Sequence, residues 1–192
     1  MTRLRTLLVL LVLWCGVAAS ALAGPIYRVT VDTAALAGQG GYLDFLFLGL
    51  QDAAPATATL SNFTGALEGG GVTAGDASGS GAGRVILGNG SGWNEFAQHV
   101  GFGGLFGFDV TFEVGGAAGD SGTNLTLALL DDAFQYVGAA GDIVTFALLP
   151  GQADGVTTDG NFATVQAVPE PGSVALLALG LLGMAVLRRR SR

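Results

Sequence analysis

The sequence predicts an all-β protein, a single antiparallel β-sandwich of jelly-roll-like type flanked by an N-terminal signal helix and a short C-terminal transmembrane helix. Residues 106–114 alternate between Phe or Val and a smaller or more polar residue, which is typical of a strand with one buried face. Many of the 33 glycines fall in clusters between such runs, where they allow tight turns. Helical patterning is weak, and only residues 94–100 indicate one or two helical turns. Many short strands joined by turns favour a sandwich or barrel.

The chain begins with the pattern of a secretory signal peptide over residues 1–23. Arg3 and Arg5 give it a cationic start, and the 13-residue segment Leu7–Ala19 is apolar. This segment is short for a membrane-spanning helix, which needs about 20 residues. We therefore predict a leader that is removed rather than a permanent anchor.

A cleavage site follows the apolar segment. Ala21 and Ala23 place small side chains at positions −3 and −1 before Gly24, as signal peptidase requires. The one cysteine, Cys15, lies within the leader, and the bulky Trp14 before it disfavours lipoprotein processing. Cleavage after Ala23 leaves a mature chain with no disulfide, no thiolate nucleophile and no cysteine ligand for a metal.

Residues 24–168, called the passenger below, form the predicted sandwich domain. The passenger carries two arginines against fourteen acidic residues, a charge of −12, whereas the whole chain carries −7. Because binding to phosphate needs cations, a strongly acidic chain without lysine is a poor candidate for binding nucleic acid, and no nucleic-acid partner is expected. Besides 106–114, alternating or short apolar runs predict strands at residues 27–32, 43–48, 56–63, 84–87, 124–129, 143–149 and 162–168.

Residues 169–192 form a second distinctive segment. It starts with Pro169, Glu170 and Pro171, and the two prolines lack N–H groups and keep the chain extended. After Gly172 comes a stretch of 15 residues, 173–187, that would be apolar on all faces of a helix. As a helix they span ~22 Å at 1.5 Å per residue, somewhat less than the ~30 Å hydrocarbon core of a bilayer.

A basic tail at residues 188–192 ends the segment. Cationic flanks resist translocation, so this tail is expected to stay on the cytoplasmic side of the inner membrane while the passenger lies outside. The sequence therefore predicts a short transmembrane helix at 173–187, held in place by Arg188, Arg189, Arg190 and Arg192.

The order of these three parts closely resembles the PEP-CTERM sorting signal, which occurs on exported proteins of Gram-negative bacteria that make exopolysaccharide. The resemblance implies that an exosortase, a membrane transpeptidase, processes the tail near Pro169, Glu170 and Pro171. The chain would then be a substrate of sorting. The passenger is also similar to a set of small PEP-CTERM proteins through its opening IYRVTVDT at 26–33, SNFTG at 61–65 and FDVTF at 108–112. This second resemblance favours β structure and implies no catalytic residue.

No active site is predicted in the passenger, and we expect a protein that is not an enzyme and needs no cofactor. No serine lies in a Gly-x-Ser-x-Gly elbow, and the lack of lysine excludes a Walker motif. The single histidine, His99, has no partner at zinc-ligand spacing and is expected on the surface or in packing. Glycoside hydrolysis needs two carboxyl groups at a set separation. The pairs available are Asp131 with Asp132, Asp109 with Glu113, which fit a solvated strand face, and Asp44 with Asp52.

Two ligand classes remain open. Loop carboxylates and carbonyls suit Ca²⁺, although Asp and Asn also favour turns without any metal. Exposed aromatic side chains suit stacking on sugar rings, although aromatics also fill sandwich cores. The calcium candidates are Asp76, Asn89, Asp120, Asn124, Asp131, Asp132, Asp142, Asp154 and Asp159, and the stacking candidates are Trp93, Phe96, Phe102 and Tyr136, with Trp93 favoured because it follows a glycine-rich turn.

The sequence thus predicts an exported, non-catalytic protein of the cell surface or extracellular matrix. It would be anchored in the inner membrane by residues 173–187 until an exosortase processes the tail, and it would associate with exopolysaccharide. Signal peptidase and exosortase are the expected processing partners. The alternative is a carbohydrate-binding module or, as a less favoured interpretation, a polysaccharide hydrolase. Glycan binding that is lost on Trp93→Ala would favour the alternative.

Overall fold

The structure is a computed structural model that describes residues 24–115 and 121–168. Within these ranges the chain forms twelve strands and one 3-10 helix at Ala34–Leu36, so the all-β prediction is confirmed. The strands are β1 (Ile26–Asp32), β2 (Gly40–Gly49), β3 (Ala56–Thr64), β4 (Val72–Ala74), β5 (Ala77–Gly79), β6 (Val85–Gly88), β7 (Glu95–Gly101), β8 (Leu105–Val114), β9 (Thr123–Leu130), β10 (Val144–Leu148), β11 (Gly155–Thr158) and β12 (Ala163–Val168).

The strands form two six-stranded sheets. The first sheet has the order β12-β1-β8-β3-β6-β5, and the second has the order β11-β10-β9-β2-β7-β4. Every pair of neighbouring strands in the two sheets runs antiparallel. The predicted antiparallel arrangement is thereby confirmed.

The first eight strands pair in a nested order. β1 pairs with β8, β2 with β7 and β3 with β6, and the pairs fall alternately in the first and second sheets. Such nesting is the connectivity of a jelly roll, which folds eight strands into two facing sheets. One strand departs from it, because β5 pairs with β6 in the first sheet rather than with β4 in the second. β9–β12 then extend both sheets.

Alternating side chains fill the space between the sheets. In β2 the side chains of Leu43, Phe45 and Phe47 are fully buried, while Tyr42 and Asp44 on the other face are partly exposed. Aromatic rings meet across the two sheets. Phe45 of the second sheet lies edge-on to Phe108 of the first with ring centroids 5.0 Å apart, and Tyr27 lies 5.2 Å from Phe146. The two sheets therefore pack face to face around one aromatic-rich core.

The helical turns predicted at residues 94–100 are wrong, because Glu95–Gly101 is strand β7. Its inward side chains, Phe96, Gln98 and Val100, are fully buried, while Glu95 and His99 are partly exposed on the opposite face. Because the polar residue Gln98 lies at the centre of the inward face, apolar and polar residues do not alternate in the sequence of this strand. Three further strands, β4, β5 and β11, carry mainly exposed and often small side chains, so no apolar alternation marks them.

The two ends of the passenger lie side by side. β1 and β12 pair antiparallel, so that Ile26 faces Val168 and Val31 faces Ala163. The predicted signal helix and the predicted transmembrane helix at 173–187 lie outside the described residues. Within the ranges that are described, no helix is long and apolar enough to cross a membrane.

Candidate functional site

The outward-facing side of the second sheet carries several aromatic and acidic side chains. It is called the outer face below. The register places Tyr42 opposite His99, Asp44 opposite Ala97 and Leu46 opposite Glu95. On the other side of β2, Asp44 lies opposite Ala128 of β9. A carboxyl group flanked by two alanines thus occupies the middle of the outer face.

Asp44 is the most perturbed acid of this face. Burial raises the pKa of the Asp44 carboxyl to about 7, with smaller contributions from the neighbouring charges of Glu95 and Asp142 and a hydrogen bond with Glu95. Its Oδ1 atom is buried and has no hydrogen-bond partner among the described residues. Near neutral pH the group is therefore partly protonated, and it can donate a proton as well as accept one.

Asp44 should make the stability of the fold fall as pH rises. Its carboxyl titrates at about 7 in the folded chain and at 3.8 as a free side chain, so the folded state holds the extra proton between these values. The contribution is complete below pH 3.8 and is lost as pH rises through about 7. Asp44→Asn keeps the shape and removes the titration, so we expect its free energy of unfolding to fall less than that of the wild type over this interval.

Urea unfolding at closely spaced pH values checks this expectation, with Asp52→Asn as the control because Asp52 is exposed in a turn. The control should follow the wild-type curve. Parallel curves for the wild type and Asp44→Asn would contradict the assignment.

His99 lies between two carboxylates at one end of the outer face. Its Nδ1 is 3.0 Å from Glu68 Oε2, and its Nε2 is 3.0 Å from Asp132 Oδ1. A ring with a proton on both nitrogens donates to both carboxylates, whereas a neutral ring donates to one. The sequence had indicated no ligand-spaced partner for His99, because both acids are about thirty residues away along the chain. Strand packing and loops bring them together.

Aromatic side chains border this histidine. Tyr42 lies edge-on to His99 with ring centroids 4.9 Å apart, and Phe134 stacks on Tyr42 at 4.7 Å. Phe134 is 53% exposed and has a positive φ of 57°, a conformation that bulky side chains rarely adopt. The Asp131 carboxylate holds the turn by accepting the N–H groups of Ala133 and Gln135. An aromatic ring is thus held at the surface by a rigid turn.

The predicted stacking residues divide into two groups. Trp93 and Tyr136 are exposed, at 53% and 56%, whereas Phe96 and Phe102 are buried in the core and cannot stack on a ligand. The indole N–H of Trp93 donates to the carboxylate of Glu95, which places Trp93 on the outer face. Phe134 was missed, because an isolated Phe in a loop gives no signal in the sequence.

The structure gives two of the predicted carboxylate pairs other surroundings than the sequence indicated. Asp109 was expected on a solvated face but is buried, where Arg28 donates from Nε and Nη2 and Asn62 donates from Nδ2. The hydrogen bonds from Arg28 lower the pKa of Asp109 and hold it ionised. Its predicted partner Glu113 is exposed. The acid that interacts with the Asp44 carboxyl group is Glu95 rather than Asp52. The two acids are brought together by the pairing of β2 with β7.

Several of the nine calcium candidates form hydrogen bonds within the fold. Asp131 and Asp159 accept backbone N–H groups two residues ahead, which is plain turn chemistry. The Asn89 amide bonds to the backbone of Ala54 and Ala56, and Asp154 accepts the hydroxyl of Tyr27. Among residues 24–115 and 121–168, no three His, Cys, Asp or Glu side chains converge to hold a metal. Asp120 lies outside these ranges, and calcium binding stays a prediction.

In the sequence, the all-β passenger is followed by a Pro-Glu-Pro sequence, an apolar segment and an arginine cluster. The family model of the PEP-CTERM protein-sorting motif matches residues 167–190. The chain therefore carries a PEP-CTERM sorting signal, which implies an exported, envelope-directed protein with an exosortase as its processing partner. No curated protein and no solved structure matches the chain significantly.

The match covers the predicted sorting residues Pro169, Glu170 and Pro171 and part of the basic tail. These residues, the predicted leader cleavage site at Ala21, Ala23 and Gly24, and the arginines from 188 onwards lie outside the described part of the structure. Their assigned roles stay predictions.

Proposed function

We propose that the passenger is a non-catalytic protein of the cell surface or extracellular matrix, which an exosortase releases from its membrane tail and which associates with exopolysaccharide. The observation that carries this proposal is the PEP-CTERM match at residues 167–190, directly after the last strand of the passenger. Its strongly acidic composition supports the proposal, because a charge of −12 keeps a domain soluble outside the cell and attracts counter-ions.

Replacing Pro169, Glu170 and Pro171 together by alanine tests the sorting step. In a host with an exosortase, we expect the variant to keep its tail and stay in the membrane fraction, while the wild type loses the tail. Alanine restores two N–H donors and allows helix where proline prevents it. Immunoblotting with tags on the passenger and after Arg192 measures the outcome. Unchanged processing and location would refute sorting through this motif.

Glycan binding at the outer face is the second candidate. It is supported by the exposed ring of Trp93, which lies beside the carboxylate of Glu95, and by the Phe134–Tyr42 pair beside the acids that bond to His99. A sugar has apolar ring faces and hydroxyls at its edges. Aromatic rings next to carboxylates offer both kinds of contact.

Trp93→Ala should weaken binding to the host's exopolysaccharide by roughly 10-fold, which corresponds to a stacking contribution of about 1.4 kcal/mol. Affinity electrophoresis in gels that contain the polysaccharide measures the effect. Val114→Ala is the matched control, because Val114 is also 53% exposed but belongs to the first sheet. If neither the wild type nor the variants are retarded by any glycan tested, the passenger has no such site.

A further inference from the structure

Strand β12 runs directly into the sorting motif. It ends at Val168, and Pro169 is the next residue, so no spacer separates the sheet from the Pro-Glu-Pro sequence. The PEP-CTERM match begins at residue 167, so Ala167 and Val168 belong both to the motif and to the strand. An enzyme that acts near residues 169–171 therefore meets a strand of the folded domain on the N-terminal side of its target.

The domain holds β12 at one edge only. β12 is the outermost strand of the first sheet and pairs with β1 through residues 163–168. Within β12 the side chain of Ala163 is buried and that of Val165 packs partly against the core, while Thr164, Gln166 and Ala167 are exposed. Segments with few buried apolar contacts open locally at the lowest free energy. β12 can therefore separate from the sheet while the core stays packed.

The neighbouring strand limits access to the motif. Enzymes that bind peptides often hold them as extended strands through main-chain hydrogen bonds. Pro169 and Pro171 have no N–H to donate, so the nearest series of main-chain donors on the N-terminal side belongs to β12. In the folded domain β1 already bonds to one edge of this strand, and Ile26 lies directly opposite Val168. The passenger itself occupies one side of the segment that the enzyme must bind.

This inference rests on the exosortase sorting proposed above. We propose that β12 is part of the substrate that the exosortase binds, and that residues 163–168 separate from β1 before the tail is processed. The rate of processing then depends on how readily β12 leaves the sheet.

A disulfide between β1 and β12 tests the proposal. Thr30 and Thr164 lie directly opposite each other in the register. Opposed residues of antiparallel strands have Cα atoms roughly 4.5–5.5 Å apart, which suits a disulfide. The matched control joins Thr145 and Thr157, an opposed threonine pair between β10 and β11 at the edge of the second sheet. Both double-cysteine variants are made in the full chain with Cys15→Ser and expressed in a host with an exosortase.

We expect the oxidised Thr30→Cys/Thr164→Cys chain to lose its tail at least 10-fold more slowly than the control, and a reductant to restore the wild-type rate. Pulse-chase gels run with and without reductant separate the oxidised and reduced chains, so the reduced fraction serves as an internal reference. Processing of the oxidised chain at the control rate would overturn the proposal.

A weakening variant gives a second test if little disulfide forms. Val165→Asp places a charge against the core edge of β12, so we expect faster loss of the tail, and an unchanged or slower rate would overturn the proposal. The variant with alanine at positions 169, 170 and 171 is assayed in the same experiment. If that variant keeps its tail while the cross-linked chain is processed normally, only the role of β12 fails. If it is processed normally as well, the proposed sorting fails.

Discussion

Phe45→Ala should lower the free energy of unfolding by about 3–5 kcal/mol, the usual cost of truncating a buried Phe. The Phe45 ring is 0% exposed and lies at the centre of the aromatic cluster between the sheets. It is stacked on Phe96 at 5.9 Å and lies edge-on to Phe108 at 5.0 Å and to Phe63 at 6.1 Å. Truncation leaves a cavity between the two sheets. The neighbouring rings belong to both sheets, so filling the cavity would require both sheets to shift.

Urea denaturation of the purified protein, followed by tryptophan fluorescence, measures this loss. Leu50→Ala is the control, because Leu50 is 63% exposed and should change stability by less than about 0.5 kcal/mol. Equal effects of the two substitutions would contradict the face-to-face packing of the sheets.

Asn94→Ala should cost roughly 2–4 kcal/mol, because it leaves buried main-chain groups without partners. The Asn94 side chain is fully buried just before β7. Its Nδ2 donates to the carbonyls of Phe47 and Ser91, both at 2.9 Å, and its Oδ1 accepts the N–H of Asp76 at 2.9 Å. One amide therefore joins β2, the loop before β7 and the turn between β4 and β5.

The same denaturation experiment on Asn161→Ala gives the control, because Asn161 is an exposed residue of a turn. Asn94→Asp separates the two directions of bonding, since the carboxylate still accepts the Asp76 N–H but no longer donates to Phe47. We expect it to destabilise the fold as well. If Asn94→Ala costs no more than Asn161→Ala, the amide does not hold these three segments.

The sequence predicted strands wherever one face of a strand is apolar and the other is not. β8 is the clearest case, since Phe106, Phe108, Val110 and Phe112 all enter the core. β7 was missed because the fully buried Gln98 interrupts the apolar face. The side chain of Gln98 is accommodated by donating to the carbonyls of Glu68 and His99, and such partners cannot be found from local sequence.

Only part of the candidate site was predictable, because Trp93, Asp44 and Asp132 were candidate residues in the sequence, whereas Phe134 was not. The exposed position of Trp93 followed from the glycine-rich turn before it. The pairing of Asp44 with Glu95 and of His99 with Asp132 depends on which strands are neighbours, and strand order in a sandwich is a non-local property. Asp109 was predicted on a solvated strand face but is buried, and its charge is stabilised there by hydrogen bonds from Arg28 and Asn62.

The nested strand pairing affects when the passenger can fold during export. In the export that the predicted N-terminal leader implies, β1 would cross the membrane before its partners β8 and β12. In the fold, Arg28 lies opposite Asp109 and Thr30 lies opposite Thr164. Contacts between residues so far apart in the chain make folding slow, because long loops must close before any pairing is gained. The first sheet cannot be completed until nearly the whole passenger has crossed. The topology therefore favours late folding, because the first sheet is complete only once β12 can pair with β1.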